Sequence, residues 1–299
     1  MKHYKTISQL HLDSKFSPPE HPMISLIRCE EVNTCSIGQS KFTCDFYMIA
    51  LKKIASGSFR YGKSEYDHDN GSMSFAKPRQ IMEMNSVIMS ENAFVMFIHE
   101  DYILGHNLHT EVKKYGFFDY EINEALHLSP TEEKIMWELY NKISMEYKNN
   151  ADEFSREIIL THIDSILKYV QRFYKRQFIN RKITSGAVVT KFNDLLLSYF
   201  ESGQLHRKGL PTVKFLASEL NLSSRYLSDL LKQETGKTAL EHIHIFLIDE
   251  AKNILMSTEN TIAETSYQLG FENPPYFTRL FKKQTGLTPL AYKMKISGT

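Results

Sequence analysis

Near its C-terminal end the chain places Phe277, Leu280 and Phe281 at i, i+3 and i+4. That spacing predicts a helix with one buried face, leaving Thr278, Arg279, Lys282 and Lys283 mainly on the other side. The punctuation agrees. Gly270 can take the left-handed conformation that ends a preceding helix, Asn273 is a good N-cap, and Pro274 falls at the first helical position, where a missing N–H costs nothing. Thr285-Gly286 predicts the stop and Thr288-Pro289 a fresh start. A short helix with an apolar back and an Arg/Lys/Thr front, entered from a tight turn, suits a DNA major groove. Taken alone, it is also compatible with an ordinary amphipathic surface helix.

The same pattern occurs twice. Leu220–Thr238 reads LNLSSRYLSDLLKQETGKT and Leu269–Thr288 reads LGFENPPYFTRLFKKQTGLT. At an offset of 50, Tyr226 matches Tyr276, Leu230 matches Leu280, Lys232 matches Lys282, Thr235-Gly236 matches Thr285-Gly286, and Thr238 matches Thr288. A shorter amphipathic segment precedes each copy, VKFLASEL from Val213 and IAETSYQL from Ile262. Each pair predicts a helix-turn-helix unit, and a tandem is a sharper signal than a single copy. A helix over Ala239–Met256, capped by Thr238 with Glu241 at N3, joins the two, and a second capping box opens at Thr261 with Glu264. Eighteen residues at the α-helical rise span about 27 Å, comparable with the roughly 34 Å of one DNA turn.

Upstream the periodicity differs. Residues 1–120 are mostly β in pattern: Phe42–Ala50 and Ala93–His99 are rich in aromatic and branched side chains, with shorter runs at Phe59–Gly62, Ser72–Ala76 and Val87–Met89. Asn70-Gly71 is a two-residue hairpin signal. Short strands between turns predict a small barrel or jelly roll. From Ser129 the pattern turns helical. Ser129-Pro130-Thr131-Glu132 is a capping box, Ile135, Met136, Leu139, Ile143 and Tyr147 share one side, and Asn149-Asn150 ends the helix. A second helix is expected from about Asp152, with Phe154, Ile158, Ile163, Ile166, Val170 and Phe173 at helical spacing; the pair can cover the barrel and also supply a dimer contact. Ile183–Gly186 is read as a polar joint, Ala187–Phe200 as the next helix, and Gly203–Pro211 as a loop.

Composition narrows the class. At 299 residues and 42% hydrophobic content the chain can form two domains with real cores. No apolar run approaches the eighteen or so residues of a membrane span, and the N-terminus lacks a signal-peptide h-region, so a cytoplasmic protein is expected. A net charge of +1 is uninformative, but Lys168–Lys182 holds six basic residues and no acidic one, which suits either a solvated helix face or proximity to DNA. Cys29, Cys35 and Cys44 lack a CxxC spacing and are expected to be reduced. A metal-binding barrel would need a His-x-His, a following Glu and a later His. His68 has no such partner, and His99, His106 and His109 straddle a strand end and a loop, so no metal, cofactor or catalytic residue is assigned. Phe46, Tyr47, Phe59, Tyr61, Phe75 and Phe97 could line a ligand chamber or simply fill the core.

The tandem, above all its GF…YFTRLFKKQTGLTP run, resembles the DNA-binding domain of AraC-type transcriptional regulators over roughly residues 187–295; before that the resemblance is architectural. It implies an α+β multidomain chain: a cupin-like sensor over 1–128 (β-barrel or jelly roll with flanking helices), a helical dimerisation and linker region over 129–185, and an all-α domain with two helix-turn-helix units over 186–299. It implies a sequence-specific regulator rather than an enzyme, with double-stranded DNA and a second copy of the chain as partners. RNA polymerase and an unidentified small-molecule effector are left open. Matching positions give the DNA-facing set: Ser224, Arg225, Ser228, Asp229 and Lys232 on the first recognition helix, and Asn273, Pro275, Tyr276, Thr278, Arg279, Lys282 and Lys283 on the second. The lysines would approach phosphates, while Arg225, Ser228 and Arg279, with Pro275 and Tyr276, would face base edges.

Two departures stand out. The family's linker helix usually carries Arg-Leu where this chain has Leu247-Ile248, and Asp229 stands where a donor would suit DNA better. Toward a phosphate Asp229 is unfavourable; toward a cytosine amino group it can be specific. The rival readings are a cupin-type enzyme with a DNA-binding tail and a protein-interaction module that has lost DNA binding.

Overall fold

The computed structural model describes residues 1–29, 41–52, 54–60, 71–89, 92–120, 124–149, 152–257 and 260–296; at 54–60, 83–89, 179–187, 206, 257 and 296 it describes the backbone alone. The chain divides into two compact units, Met1–Phe178 and Ile179–Thr299.

The first unit is a two-sheet structure with helices on one side. Its elements are β1 (Lys2–Tyr4), α1 (Ile7–Ser14), β2 (Ile24–Arg28), β3 (Lys41–Cys44), β4 (Phe46–Lys52), β5 (Ile54–Arg60), β6 (Ser72–Ala76), β7 (Met82–Met89), β8 (Phe94–His99), the single turn α2 (Leu108–Glu111), β9 (Leu126–His127) and α3 (Pro130–Lys148). A long helix, α4 (Ser155–Glu201), begins in this unit. One sheet runs β1-β3-β7-β5 and the other β2-β8-β4-β6-β9. Among the described residues each sheet keeps two free edges, so the sequence-predicted barrel is an open pair of sheets here.

The run expected as one strand over Phe42–Ala50 is two strands in different sheets. Asp45 is the corner. Its N–H donates to the Tyr4 carbonyl at 3.1 Å, continuing the β1·β3 pairing, and its carbonyl accepts from the Glu100 N–H at 3.2 Å, continuing the β4·β8 pairing, so its two groups serve different sheets. Side chains from both sheets meet between them: Tyr4 and Phe42 edge to face at 5.4 Å, Phe46 and Phe97 likewise at 5.4 Å, with Met48, Met82 and Val95. The other face of the five-stranded sheet is covered by helices. Phe94 stacks on Tyr140 at 4.3 Å and meets Trp137 at 5.1 Å, while Phe75, Phe117 and Tyr174 form a second aromatic group. A sheet buried on both faces needs apolar side chains at successive positions, which is why β4 and β8 lack alternation; β6 is buried throughout, with Ser72 and Ser74 among apolar neighbours.

The capping box at Ser129 is formed: the Glu132 N–H donates to Ser129 Oγ, and the Ser129 N–H donates to Glu132 Oε2 at 2.8 Å. Glu132 also receives a forked pair from Arg176, Nε at 3.0 Å and Nη2 at 2.8 Å, and Arg176 Nη2 donates to the His127 carbonyl at 2.7 Å. Lys168 pairs with Asp164 at 2.6 Å. Two of the six basic residues of 168–182 are thus engaged inside this unit. Ile163, Ile166, Val170 and Phe173 are buried here as well, whereas Phe154 and Ile158 remain exposed.

Cys29 is disulfide-bonded, which corrects the expectation of three reduced thiols; Cys44 is free and buried. Asn70, Tyr61 and His68 also lie outside the described residues.

The second unit is all-α. After the C-terminal part of α4 come α5 (Gln204–Lys208), α6 (Val213–Glu219), α7 (Ser224–Thr235), α8 (Ala239–Ser257), α9 (Ile262–Gln268), α10 (Pro274–Thr285) and α11 (Pro289–Ile296). One core joins Phe192 and Leu196 of α4, Leu227 and Leu231 of α7, Leu247, Ile248 and Ala251 of α8, and Phe277 and Phe281 of α10. Leu247 and Ile248, at the family's Arg-Leu position, fill this core.

Two expectations change. The joint at Ile183–Gly186 is helical, because only Gly186 disfavours a helix there, by about 1 kcal/mol, and neither proline nor cap interrupts it. The loop over Gly203–Pro211 contains α5, closed at Gly209.

Candidate nucleic-acid interface

The two helix-turn-helix units share the hydrogen bonds of the turn. In the first turn the Leu222 N–H donates to the Ala217 carbonyl at 2.9 Å and the Asn221 N–H to Ser218 at 3.1 Å; in the second, Phe271 donates to Ser266 at 3.0 Å and Gly270 to Tyr267 at 2.9 Å. Asn221 and Gly270 both take positive φ, 55° and 79°. These turn positions are related by an offset of 49. The recognition helices follow at an offset of 50, from Ser223 to Asn273, so the second turn carries one extra residue, Glu272.

Each recognition helix is capped in the same way. Ser223 Oγ accepts from the Tyr226 N–H, and Asn273 Oδ1 from the Tyr276 N–H, both at 3.1 Å. At the far end Gly236 and Gly286 take φ of 79° and 80°. Thr235 Oγ1 donates to the Leu231 carbonyl at 2.7 Å and Thr285 Oγ1 to Phe281 at 2.8 Å, and each hydroxyl also accepts an N–H from two residues on. Two separate sequences therefore fix the same helix length and the same exit. The threonines at 238 and 261 complete capping boxes with Glu241 and Glu264, whose carboxyls are held below the usual range by those backbone N–H donors.

The apolar faces go inward. Tyr226, Leu227, Leu230 and Leu231 are buried on α7, as are Phe277, Leu280 and Phe281 on α10. Outward on α10 stand Pro275, Tyr276, Arg279, Lys282 and Lys283, with Thr278 half-buried. Tyr226 is wholly buried although its sequence match Tyr276 is 41% exposed, so the repeat covers the backbone and not every side chain. On α7, Arg225 and Lys232 are exposed and Ser224, Ser228 and Asp229 half-buried. Arg225 Nε donates to Asp229 Oδ2 at 3.0 Å. Among the described residues nothing pairs with the Arg279 guanidinium.

Sequence reasoning missed Lys208. A groove of about 530 Å³ beside α10 is lined by Lys208, Gly209, Phe271, Asn273, Tyr276 and Arg279. It places a cation from α5 beside the front of the second unit. The basic pair Arg207-Lys208 before Gly209 was the available signal, hidden because this stretch reads as a loop.

In the first unit the ligand-lining aromatics do not share a chamber. Phe46 and Phe97 sit between the sheets, while Tyr47 and Phe75 pack on Phe118 on the helix-covered side. The side chain of Phe59 lies outside the description. His99 Nδ1 accepts the Asp101 N–H, and its Nε2 lies 3.1 Å from the Lys5 carbonyl. His106 Nδ1 accepts the Leu108 N–H, and its Nε2 faces Glu157 at 3.3 Å. Among the described residues no three His, Cys, Asp or Glu side chains converge as metal ligands, and no helix is long and apolar enough to cross a membrane.

A helix-turn-helix domain family matches residues 216–295. An HTH-type transcriptional regulator encoded in the cgkA 5′ region of Pseudoalteromonas carrageenovora is 33% identical over 117 residues, 38% of this chain and 68% of the relative. The chain belongs to the AraC-type family of helix-turn-helix transcriptional regulators. The uncharacterized HTH-type transcriptional regulator YobQ of Bacillus subtilis (strain 168) is 32% identical over 117 residues, 39% of this chain and 45% of that protein. The C-terminal domain of the two-component response regulator yesN from Fusobacterium nucleatum subsp. nucleatum is 31% identical across 34% of this chain and 96% of its own, with a TM-score of 0.30. The chain thus spans less than half the length of YobQ, and its AraC-type character rests on the second unit.

Proposed function

We propose that this protein is an intracellular, sequence-specific DNA-binding transcription regulator that works as a homodimer and not as an enzyme. The observation that carries the reading is the pair of helix-turn-helix units with matching hydrogen bonds, each turning an apolar back inward and a basic, polar front outward. α7 and α10 enter successive major grooves. α8, 19 residues and about 28 Å long, spaces them. Lys232, Lys282 and Lys283 lie against phosphates, with Lys208 as a further phosphate contact, and Arg225, Ser228 and Arg279 act at base edges with Pro275, Tyr276 and Thr278, Asp229 standing beside Arg225 on the same front. Asn273 serves chiefly as the cap that aims α10, and Ser224 opens α7. The first unit is a cupin-like sensor, its two sheets corresponding to a jelly roll.

The test is titration of the full-length protein onto a labelled duplex from its own promoter region and onto a scrambled duplex, at two salt concentrations. Preference for the promoter duplex at both, with weaker binding at high salt, is expected. Equal binding to both duplexes, or none to either, overturns the reading.

A further inference from the structure

We infer that Asp229 is a positioning residue: its carboxylate holds the Arg225 guanidinium so that the terminal fork is presented to a guanine. The inference rests on the DNA-binding reading above. Arg225 and Asp229 are i and i+4 on α7, with Nε 3.0 Å from Oδ2. Their neighbours Tyr226, Leu227, Leu230 and Leu231 are turned into the core, so the pair lies on the outward side. Engaging Nε restrains the arginine torsions and leaves Nη1 and Nη2 for an acceptor pair. Guanine O6 and N7 form such a pair in the major groove. The remaining charge on that side of α7 is Lys232, exposed in its last turn.

The second recognition helix shows what the clamp changes. At an offset of 50, Arg225 corresponds to Pro275 and Asp229 to Arg279. Each helix thus offers one arginine, at non-equivalent positions, and that of α10 makes no ion pair among the described residues, although Glu272 lines the same groove. An aspartate aimed alone at DNA would oppose the phosphates; paired with Arg225 its charge is compensated and its effect becomes geometric. The departure at position 229 is therefore half of a two-residue reading head.

The experiment selects binding sites from a randomised duplex pool with full-length wild type, Arg225→Ala, Asp229→Ala and Asp229→Asn, then measures affinity on the selected duplex with 7-deazaguanine at each guanine in turn. For wild type, one 7-deaza position on the α7 side should weaken binding about tenfold. Arg225→Ala should be insensitive at that position. Asp229→Ala should lose most of the sensitivity while binding random duplex more tightly, and Asp229→Asn, whose Oδ1 can still accept from Nε, should recover part of it. If Asp229→Ala keeps the full 7-deaza effect and merely tightens binding to every duplex, the carboxylate contributes charge only and the inference fails. Loss of a cytosine preference in Asp229→Ala but not in Arg225→Ala would make Asp229 a direct reader and overturn it too. A wild-type protein that enriches no sequence would instead sink the DNA-binding reading itself.

Discussion

Asn221 and Gly270 occupy the same left-handed position in the two helix-turn-helix turns, and at Gly270 another stretch of backbone closes in. A Cβ at 270 would meet Leu205 Cδ2 at 3.2 Å, the Gly209 carbonyl carbon at 3.3 Å and the Leu205 carbonyl oxygen at 3.4 Å. Asparagine tolerates positive φ, so the first turn can carry a side chain. The second needs glycine for conformation and for space, because the end of α5 closes onto it.

Gly270→Ala should therefore destabilise the second unit by about 2–4 kcal/mol, combining the left-handed penalty with overpacking. Gly286→Ala, where a Cβ would meet nothing within 4 Å, should cost only the conformational part, about 1–2 kcal/mol. Asn221→Gly should change stability by less than about 1 kcal/mol. Urea unfolding followed by far-UV circular dichroism checks the order, with fluorescence of Trp137, the chain's single tryptophan, reporting the first unit. Equal losses for Gly270→Ala and Gly286→Ala would show that the close approach is immaterial.

Arg279 and Lys282 lie on the exposed side of α10, separated by about one turn. Arg279→Ala should weaken binding to a selected duplex by about 1–3 kcal/mol and leave scrambled DNA nearly unaffected, since a guanidinium can pair bidentately with guanine. Lys282→Ala should weaken both duplexes together and reduce the log–log salt slope by about one unit. A salt series on both duplexes separates the roles. Equal loss on both duplexes for Arg279→Ala would make it a backbone clamp.

The second unit was legible because its signals are local. Thr238, Thr261 and Asn273 announce helix starts within three residues, and the apolar spacing of Phe277, Leu280 and Phe281 survives folding unchanged. What was missed depends on long-range partners. The split at Asp45 is enforced by Tyr4 and Glu100, far along the chain, and nothing adjacent marks it. Strands β1 and β2 are short, and their pairings with β3 and β8 lie 40 and more residues away. α1 could have been found: Thr6-x-x-Gln9 is a capping box, and both its bonds are formed. The Arg225–Asp229 pair was readable as an i, i+4 match, but the sequence alone left Asp229 looking like a misplaced charge.

Phe154, immediately before α4, and Ile158 in its first turn are 60% and 39% exposed, and Leu104, whose carbonyl is held by Arg156 Nη2 at 2.6 Å, is 49% exposed. The rest of the α4 stripe is buried in its own unit, so these residues are the proposed dimer contact. Full-length protein should sediment as a dimer at micromolar concentration, and Phe154→Asp with Ile158→Asp should sediment as a folded monomer. A dimer that survives the double substitution would place the contact elsewhere.

The last prediction concerns acid. His11 is 4% exposed, with Nδ1 at 2.6 Å from the Ser17 carbonyl and Nε2 at 2.8 Å from Ser25 Oγ. Because a carbonyl only accepts, Nδ1 carries a proton, and in the neutral ring Nε2 accepts from the Ser25 hydroxyl. Burial pushes the His11 pKa below its ordinary 6.5, against a smaller opposing effect of the Ser17 hydrogen bond. Around it, a cavity of about 180 Å³ is lined by Glu20, Arg28, Tyr140, Tyr147 and Lys148 among others. His21 and His162 of the same unit are also lowered by burial. A base whose folded pKa is depressed binds fewer protons folded than unfolded, so its contribution is complete above pH 6.5 and is lost as pH falls from there toward the folded value. The first unit should therefore be less stable at pH 5.5 than at pH 7.5 by the urea midpoint of Trp137 fluorescence. His11→Gln, which can still donate and accept but cannot titrate, should be less stable than wild type at pH 7.5 yet show a shallower pH dependence, by at most one proton. If the midpoint holds or rises on acidification, or if His11→Gln leaves the slope unchanged, His11 is not held neutral by its burial.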